Sequence, residues 1–428
     1  MLEVARYLKN LIGMECSLIK YSIEDIRDEN GYSVRLKVAY QELAKFQMKI
    51  EDGPTFRALT DCLKSEGRLI RFLSKCLCKY DPSGIDGHKY IWNALLLINI
   101  FACIARKNHE RNHGIFVFLE KRIWWKSLQD YGARIGVTIK ALPRQLKFEY
   151  KLKRSDRFFL RQTIDAVIRK RVFHSNQASA NSGKNPCVAT EYYGHLNLNR
   201  PELYSDVFFL NNSELQGSDT KLFFRDRSIS LDRDMYNELR SHGITPIVLD
   251  PRASKVPEAY IHNFKIKSTH RKITARGPAA EAKWLQREAT EFDWLKSYWH
   301  DIFVQHGVKV YFHWYKYDAE HMAIADAMKD LGGIMALYQR SFEVQPTAET
   351  TLSLDIEFGF SPNEAELERK NKSHISYHVT TGYPGDFRFP LLRNEAIRIR
   401  EDLRRNGAKH ILAYFDENTI DDPRWFAS

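Results

Sequence analysis

The chain has 428 residues and a mass of 50.2 kDa, enough for two or three domains. Its composition, 43% hydrophobic, 13% aromatic and 28% charged, excludes a disordered chain, a collagen and a coiled coil and supplies a large aromatic core. The net charge of +11 is uneven: residues 1–200 hold 35 Lys and Arg against 20 Asp and Glu, while residues 201–428 hold 30 against 34, so an anionic partner is expected of the first half.

Residues 1–88 read as a mixed, mostly helical region. The N-terminus lacks the apolar run of a signal peptide. Alternation at period two predicts a strand over 32–40, and helical spacing predicts a helix over 56–77. Residues 91–105 form an apolar run between Lys89 and Arg106, with Asn93 and Asn99 inside it. The run is shorter than the about 20 residues a membrane span needs. A buried core helix is the simpler reading, and a helix lying on an anionic membrane surface is the functional one. Cys16, Cys62, Cys76, Cys78, Cys103 and Cys187 show no zinc spacing and read as thiols in a reducing compartment.

Beyond residue 92 helices and strands alternate. Strands are expected over 114–119 and 137–139, with a helix over 124–134 between them. A basic-flanked helix over 157–172 and a polar loop over 174–185 follow. Strands are then expected over 187–190, 206–210 and 245–249, with a helix over 235–242. Residues 251–278 read as a basic crossover, and a long helix runs from Pro278 to Gly307. The second series has strands over 308–312, 333–337, 352–358, 374–379 and 410–415, with helices over 319–331 and 395–405. This rhythm predicts parallel α/β sheets, whose ligands bind beyond the carboxyl ends of the strands.

The sequence holds no P-loop, no dinucleotide fingerprint, no H-E-x-x-H and no G-x-S-x-G. What remains is a set of polar clusters at strand ends. Glu191, Tyr192 and His195 follow one strand, where a carboxylate or imidazole can take a proton from a hydroxyl; a loop anchor is the structural alternative. His313, Asp318 and His321 follow another, with Asp318 placed as a helix N-cap at a turn that also suits an anion. Arg340 fits an anion clamp or an ion pair with Glu343. Gly382, Tyr383 and Asp386 sit in a Gly/Pro turn where backbone can approach a ligand. Asp416, Glu417, Asp421 and Asp422 gather carboxylates that suit either solvent or Mg²⁺ with substrate phosphates.

The stretch from Ser373 to Thr419 (S-H-I-S-Y-H-V-T-T-G-Y-P-G-D, a basic helix, then G-A-K-H-I-L-A-Y-F-D-E-N-T) resembles bacterial surface-carbohydrate biosynthesis proteins similar to GT-B glycosyltransferases. Y-Q-R-S-F-E and D-I-E-F-G-F-S-P, within 333–362, fit the same resemblance. The turn at Gly382, Tyr383, Pro384 and Asp386 is similar to the domain junction of teichoic-acid polymerases of the glycerophosphotransferase type, with Gly385 where those have Arg. The resemblance implies two Rossmann-like domains. Residues 89–406 would form the acceptor side, and residues 407–428 would open a donor domain that the chain does not complete. It further implies a glycosyltransferase of surface-polysaccharide assembly, cytoplasmic or peripheral on the inner membrane face. Such an enzyme takes a nucleotide-sugar donor and a glycan or lipid-linked acceptor, without a required metal.

On that reading Glu191 or His195 is the base, Asp416 and Glu417 are cleft residues, and Tyr192, His321, Arg340, Glu343, Gly382, Tyr383 and Asp386 touch substrate. The alternatives are a non-catalytic acceptor-binding or scaffold module and, third, a nucleic-acid-binding protein, for which charge and aromatics but no motif speak.

Overall fold

The structure, a computed structural model, describes residues 26–78, 88–107, 114–119, 121–141, 186–211, 213–262, 271–341 and 350–413. The first element is helical where a strand is expected over 32–40. Helix α1 (Val34–Lys37) runs through a π-turn (Val38–Glu42) into α2 (Leu43–Glu51). Ser33 caps α1 by accepting the Leu36 N–H, and Val34 and Val38 are both buried. Burial at i and i+4 plus an N-cap outweighs the β-branched alternation. Helices α3 (Pro54–Thr60), α4 (Gly67–Cys78) and α5 (His88–Lys107) complete this region.

Helix α5 contains the apolar run. Ile91, Leu95 and Ile98 are buried in the core. Asn99 is accommodated by donating from Nδ2 to the Leu95 carbonyl and the Tyr131 hydroxyl, each at 2.8 Å. Among the described residues no helix is long and apolar enough to cross a membrane.

A small parallel βαβ unit follows: β1 (Ile115–Leu119), α6 (Trp125–Arg134) and β2 (Val137–Ala141). Gly132 lets α6 lie on β2, since a Cβ there would meet the Val137 carbonyl at 2.8 Å.

The larger unit is a seven-stranded, wholly parallel sheet: β3 (Cys187–Glu191), β4 (Thr220–Phe224), β5 (Thr245–Val248), β6 (Val308–His313), β7 (Ile334–Tyr338), β8 (Ser353–Gly359) and β9 (His374–Thr380). Its spatial order is β5-β4-β3-β6-β7-β8-β9. The chain winds outward from β3 to β5, returns through α8 (Ala279–His306) to lay β6 beside β3, and winds outward the other way to β9. This is a doubly wound, Rossmann-like α/β fold whose direction reverses between β3 and β6.

Period-two side-chain alternation explains why both faces are covered. Phe223 and Ile247 enter one core, whereas Leu222, Phe224 and Val248 enter the opposite one. The first face is packed by α8 and α9 (Glu320–Asp330), the second by α7 (Arg233–Ser241). Helix α8 also joins the two units. Trp284, Leu285 and Phe292 belong to the core shared with the N-terminal helices, and Trp299, Ile302 and Phe303 to the sheet core. Gly307, at φ +66°, ends it in the left-handed cap that leads into β6.

Three further sequence expectations are corrected. Residues 206–210 are a loop with one 3-10 turn (Phe208–Leu210), because the Asp206 carboxylate is committed to the loop after β3; the strand is β4 instead. Helix α10 (Pro362–Lys370), opened by a Pro in its first turn, links β8 to β9. Helix α11 begins at Phe389 and runs to Arg405, and no strand follows over 411–413. The expected helix over 157–172, the loop over 174–185 and residues 414–428 lie outside the described residues, as does part of the crossover (263–270).

Candidate functional site at the sheet switch point

At the carboxyl ends of β3, β4 and β6, where the winding reverses, lies a cavity of about 440 Å³. Its walls include Glu191 from the end of β3, Arg225 after β4, and His313, Trp314, Asp318 and His321 after β6. Each strand end delivers its polar residue because the preceding apolar residues lock that strand between two cores.

Glu191 is the central carboxylate. Its Oε1 accepts the Tyr311 hydroxyl at 2.5 Å and lies 3.7 Å from the Arg225 guanidinium. Arg225 also pairs with Glu320 at the start of α9, and Glu320 accepts the Trp299 indole N–H at 2.8 Å. The Glu191 side chain is 14% exposed. Burial pushes its pKa above the usual carboxylate range, and Arg225 and Tyr311 oppose that shift without cancelling it. A carboxylate raised in this way is a better proton acceptor than an exposed one.

His321 sits in the first turn of α9 with its side chain 1% exposed. Its Nδ1 lies 2.9 Å from the Asp318 carbonyl. A carbonyl only accepts, so Nδ1 carries the proton. Burial, with Lys75 nearby, holds the imidazole neutral by lowering its pKa well below 6.5. Nε2 is therefore a bare acceptor, and it is buried without a hydrogen-bond partner. His313 is also neutral, since burial pushes it down to about 3, and among the described residues its Nε2 has no hydrogen-bond partner. Two neutral imidazole nitrogens thus line a cavity that also holds a carboxylate.

The rim is aromatic. Tyr193 packs on Trp314 at 5.0 Å, and the Arg340 guanidinium lies over the Trp314 ring, 4.2 Å from its centroid. Asp206, raised by burial, anchors the loop after β3 by accepting the N–H groups of Tyr193 (2.8 Å) and His195 (3.0 Å). The loop-anchor role considered for Glu191 belongs to Asp206.

Of the residues singled out in the sequence, Glu191, Tyr192 and His321 share the cavity, along with His313 and Asp318. Asp318 Oδ1 accepts the His321 N–H at 3.2 Å, but Asp318 stands one residue before the N-cap, which is Ala319 and not Asp318 as expected. His195 is exposed, with its ring on Tyr204, outside the cavity lining. Arg340 stands at the rim. Gly382, Tyr383 and Asp386 lie beyond β9, farther along the same sheet end. Glu343, Asp416 and Glu417 lie outside the described residues. Sequence reading missed Arg225, Tyr311 and Glu320. Arg225 directly follows β4, and the misplaced strand over 206–210 hid it; Tyr311 and Glu320 look like core and helix-surface residues until the sheet is folded.

A second carboxylate group, Glu357, Glu364 and Glu368, brings its oxygens within 4.8 Å of one another. The Lys316 ammonium lies 3.2 Å from Glu368 and 3.6 Å from Glu364. The cluster therefore already holds its cation in the form of a lysine and is a buried ion-pair network under β8.

No protein-family model matches the sequence, and no match is found among curated proteins or solved structures. Fold and site together define a doubly wound α/β protein with a polar, aromatic-rimmed cavity at its topological switch point.

Proposed function

We propose that this chain is a GT-B-type glycosyltransferase acting in bacterial surface-polysaccharide assembly, with the switch-point cavity as its acceptor site. The donor is a nucleotide-sugar, and the acceptor is a glycan or lipid-linked sugar on the cytoplasmic side of the membrane. The observation that carries this reading is the pairing, in one switch-point cavity, of a carboxylate with a raised pKa (Glu191) and a neutral imidazole with a bare, buried Nε2 (His321). A volume of about 440 Å³ falls within the roughly 300–1,000 Å³ of small-molecule sites. Trp314 and Tyr193 offer flat apolar faces for the C–H side of a sugar ring, and the polar groups behind them meet its hydroxyls.

In this reading His321 Nε2 accepts a hydrogen bond from one acceptor hydroxyl and fixes the ring. The Glu191 carboxylate takes the proton of the reacting hydroxyl as its oxygen bonds to the anomeric carbon of the donor. The bond from that carbon to the donor phosphate breaks, and the nucleoside diphosphate leaves with the electron pair. Arg225 holds Glu191 in place and favours its ionised form.

The test is transfer of radiolabelled sugar from UDP-, GDP- and dTDP-sugars to oligosaccharide acceptors, alongside calorimetry of acceptor binding. Glu191→Gln is expected to lower turnover by about 10²–10⁴-fold with acceptor affinity nearly unchanged. His321→Phe is expected to weaken acceptor binding. Unaltered turnover in Glu191→Gln removes Glu191 as the base.

A further inference from the structure

Beside the cavity the sheet end changes character. Arg225, Arg227 and Arg252, which leave β4 and β5 on this side, are each paired with a carboxylate. Arg340 and Arg388, which follow β7 and β9, make no ion pair among the described residues. Both instead lie against aromatic rings. Arg340 lies over Trp314 at 4.2 Å, and Arg388 lies over Tyr204 at 5.9 Å. Stacking fixes a guanidinium in position while leaving its N–H edge open.

The two arginines are brought together by the loop between β3 and β4. Tyr204, whose ring faces Arg388, shares a 2.8 Å hydroxyl contact with Tyr338, the last residue of β7, two residues before Arg340. Phe208 meets Tyr338 edge to face at 5.0 Å and stacks on Phe387 at 6.4 Å, which seats the Arg388 turn against the same loop. Arg388 donates from Nε to the Gly385 carbonyl at 3.2 Å and from Nη2 to the Tyr383 hydroxyl at 3.5 Å, which sets its direction and leaves Nη1 for a ligand. Arg388 is also the N-cap of the 17-residue helix α11, which has no acidic residue in its first turn. The positive end of that helix adds to the two guanidinium charges, with the Asp386 carboxylate in the preceding 3-10 turn opposing it.

We propose that Arg340 and Arg388, bridged by Tyr204, form a phosphate-binding subsite next to the switch-point cavity, so that the ligand carries a phosphoryl group beside the sugar hydroxyl that Glu191 serves. This inference deepens the acceptor reading and rests on it. Two planar forks from separate loops suit the spread oxygens of a phosphoryl group, whereas a carboxylate is satisfied by one. The phosphoryl group belongs either to a soluble phosphosugar or polyol phosphate or to a lipid-linked acceptor.

The experiment measures binding by calorimetry for inorganic phosphate, glycerol 3-phosphate and glycerol, and by co-sedimentation for phosphatidylcholine vesicles with and without phosphatidic acid. The variants are Arg340→Ala, Arg388→Ala, the double variant and Arg340→Lys. Glycerol 3-phosphate, acid-containing vesicles or both are expected to bind the wild type. Each alanine weakens that binding about tenfold and the double variant about a hundredfold, and Arg340→Lys loses most of the Arg340 share because it forfeits the stacked fork. Which arm binds tells a soluble from a lipid-borne phosphate. Failure of both arms, or binding unchanged in the double variant, overturns the subsite. The double variant transferring sugar to a phosphorylated acceptor as well as the wild type does, while Glu191→Gln does not, would remove the subsite yet leave the acceptor reading standing.

Discussion

The switch point and the far edge of the same sheet are built on opposite terms. At the junction of β3 and β6, Tyr311 and Trp299 are fully buried, and the charges of Glu191, Arg225 and Glu320 are paired behind them. At the far edge, Tyr377 on β9 is 69% exposed, Leu412 is 94% exposed, and α11 has no buried residue at all. Yet α11 carries Leu392, Ala396, Ile399 and Leu403 at helical spacing on one face. Apolar periodicity therefore states that a face exists, not that it is covered. In a doubly wound sheet the helices crowd over the central strands, and groups emerging there are held by packing on both sides. Rigid placement of a carboxylate and a bare imidazole nitrogen is available at the switch point and unavailable at β9.

The largest effect should come from the packed side. Trp299→Ala is expected to cost about 3–5 kcal/mol in denaturant unfolding, since the indole is fully buried and its N–H is bonded to Glu320. A loss under about 1 kcal/mol would break the contrast at its root. Arg225→Ala comes next. It leaves Glu191 and Glu320 facing each other, and because the Arg225 side chain is 39% exposed, the expected loss is about 1–3 kcal/mol, below that for a fully buried pair.

The pH dependence sharpens the same contrast. Burial pushes His306 and His313 down to about 3 from an ordinary 6.5. The unfolded chain takes up these protons first, so the stability their neutral forms contribute is complete above about 6.5 and is lost as pH falls toward 3. Glu51, pushed up to about 7 from an ordinary 4.5 by burial, works in reverse. Folded protein binds its proton first, and its contribution declines as pH rises from 4.5 to 7. In melting curves across that window, Glu51→Gln should steepen the gain in stability with pH, and His313→Gln should flatten it. Parallel curves for all three proteins would refute the assignment. The smallest effect belongs to α11, where Leu403→Ala should change stability by less than about 0.5 kcal/mol.

Much of this architecture is legible in the sequence. The apolar runs of β3, β5 and β6 through β9, the 28-residue helix α8 with its Gly307 stop, and the placement of polar clusters after strands all follow from period and punctuation. Glu191 and His321 are legible for the same reason, because one ends a strand and the other opens the helix that follows β6. Arg225 is not, because the run F-F-L at 208–210 outcompetes T-K-L-F-F at 220–224 as a strand signal. What separates them is the commitment of Asp206 to two backbone N–H groups thirteen and eleven residues upstream, a long-range bond that no local pattern encodes. The helix over 34–37 is hidden likewise, since V-x-x-x-V fits both periods and only the packing against α5 decides. The tautomer of His321 depends on a carbonyl three residues back and becomes readable only once α9 is formed.

The most direct measurement is hydrogen–deuterium exchange of the protein with and without a panel of soluble oligosaccharides, including phosphorylated ones. The account predicts slower exchange in peptides covering 187–195 and 313–324 on addition of a bound sugar, with 392–405 unchanged. Protection confined to 392–405, or a bound sugar that leaves both segments at the switch point unprotected, would contradict it.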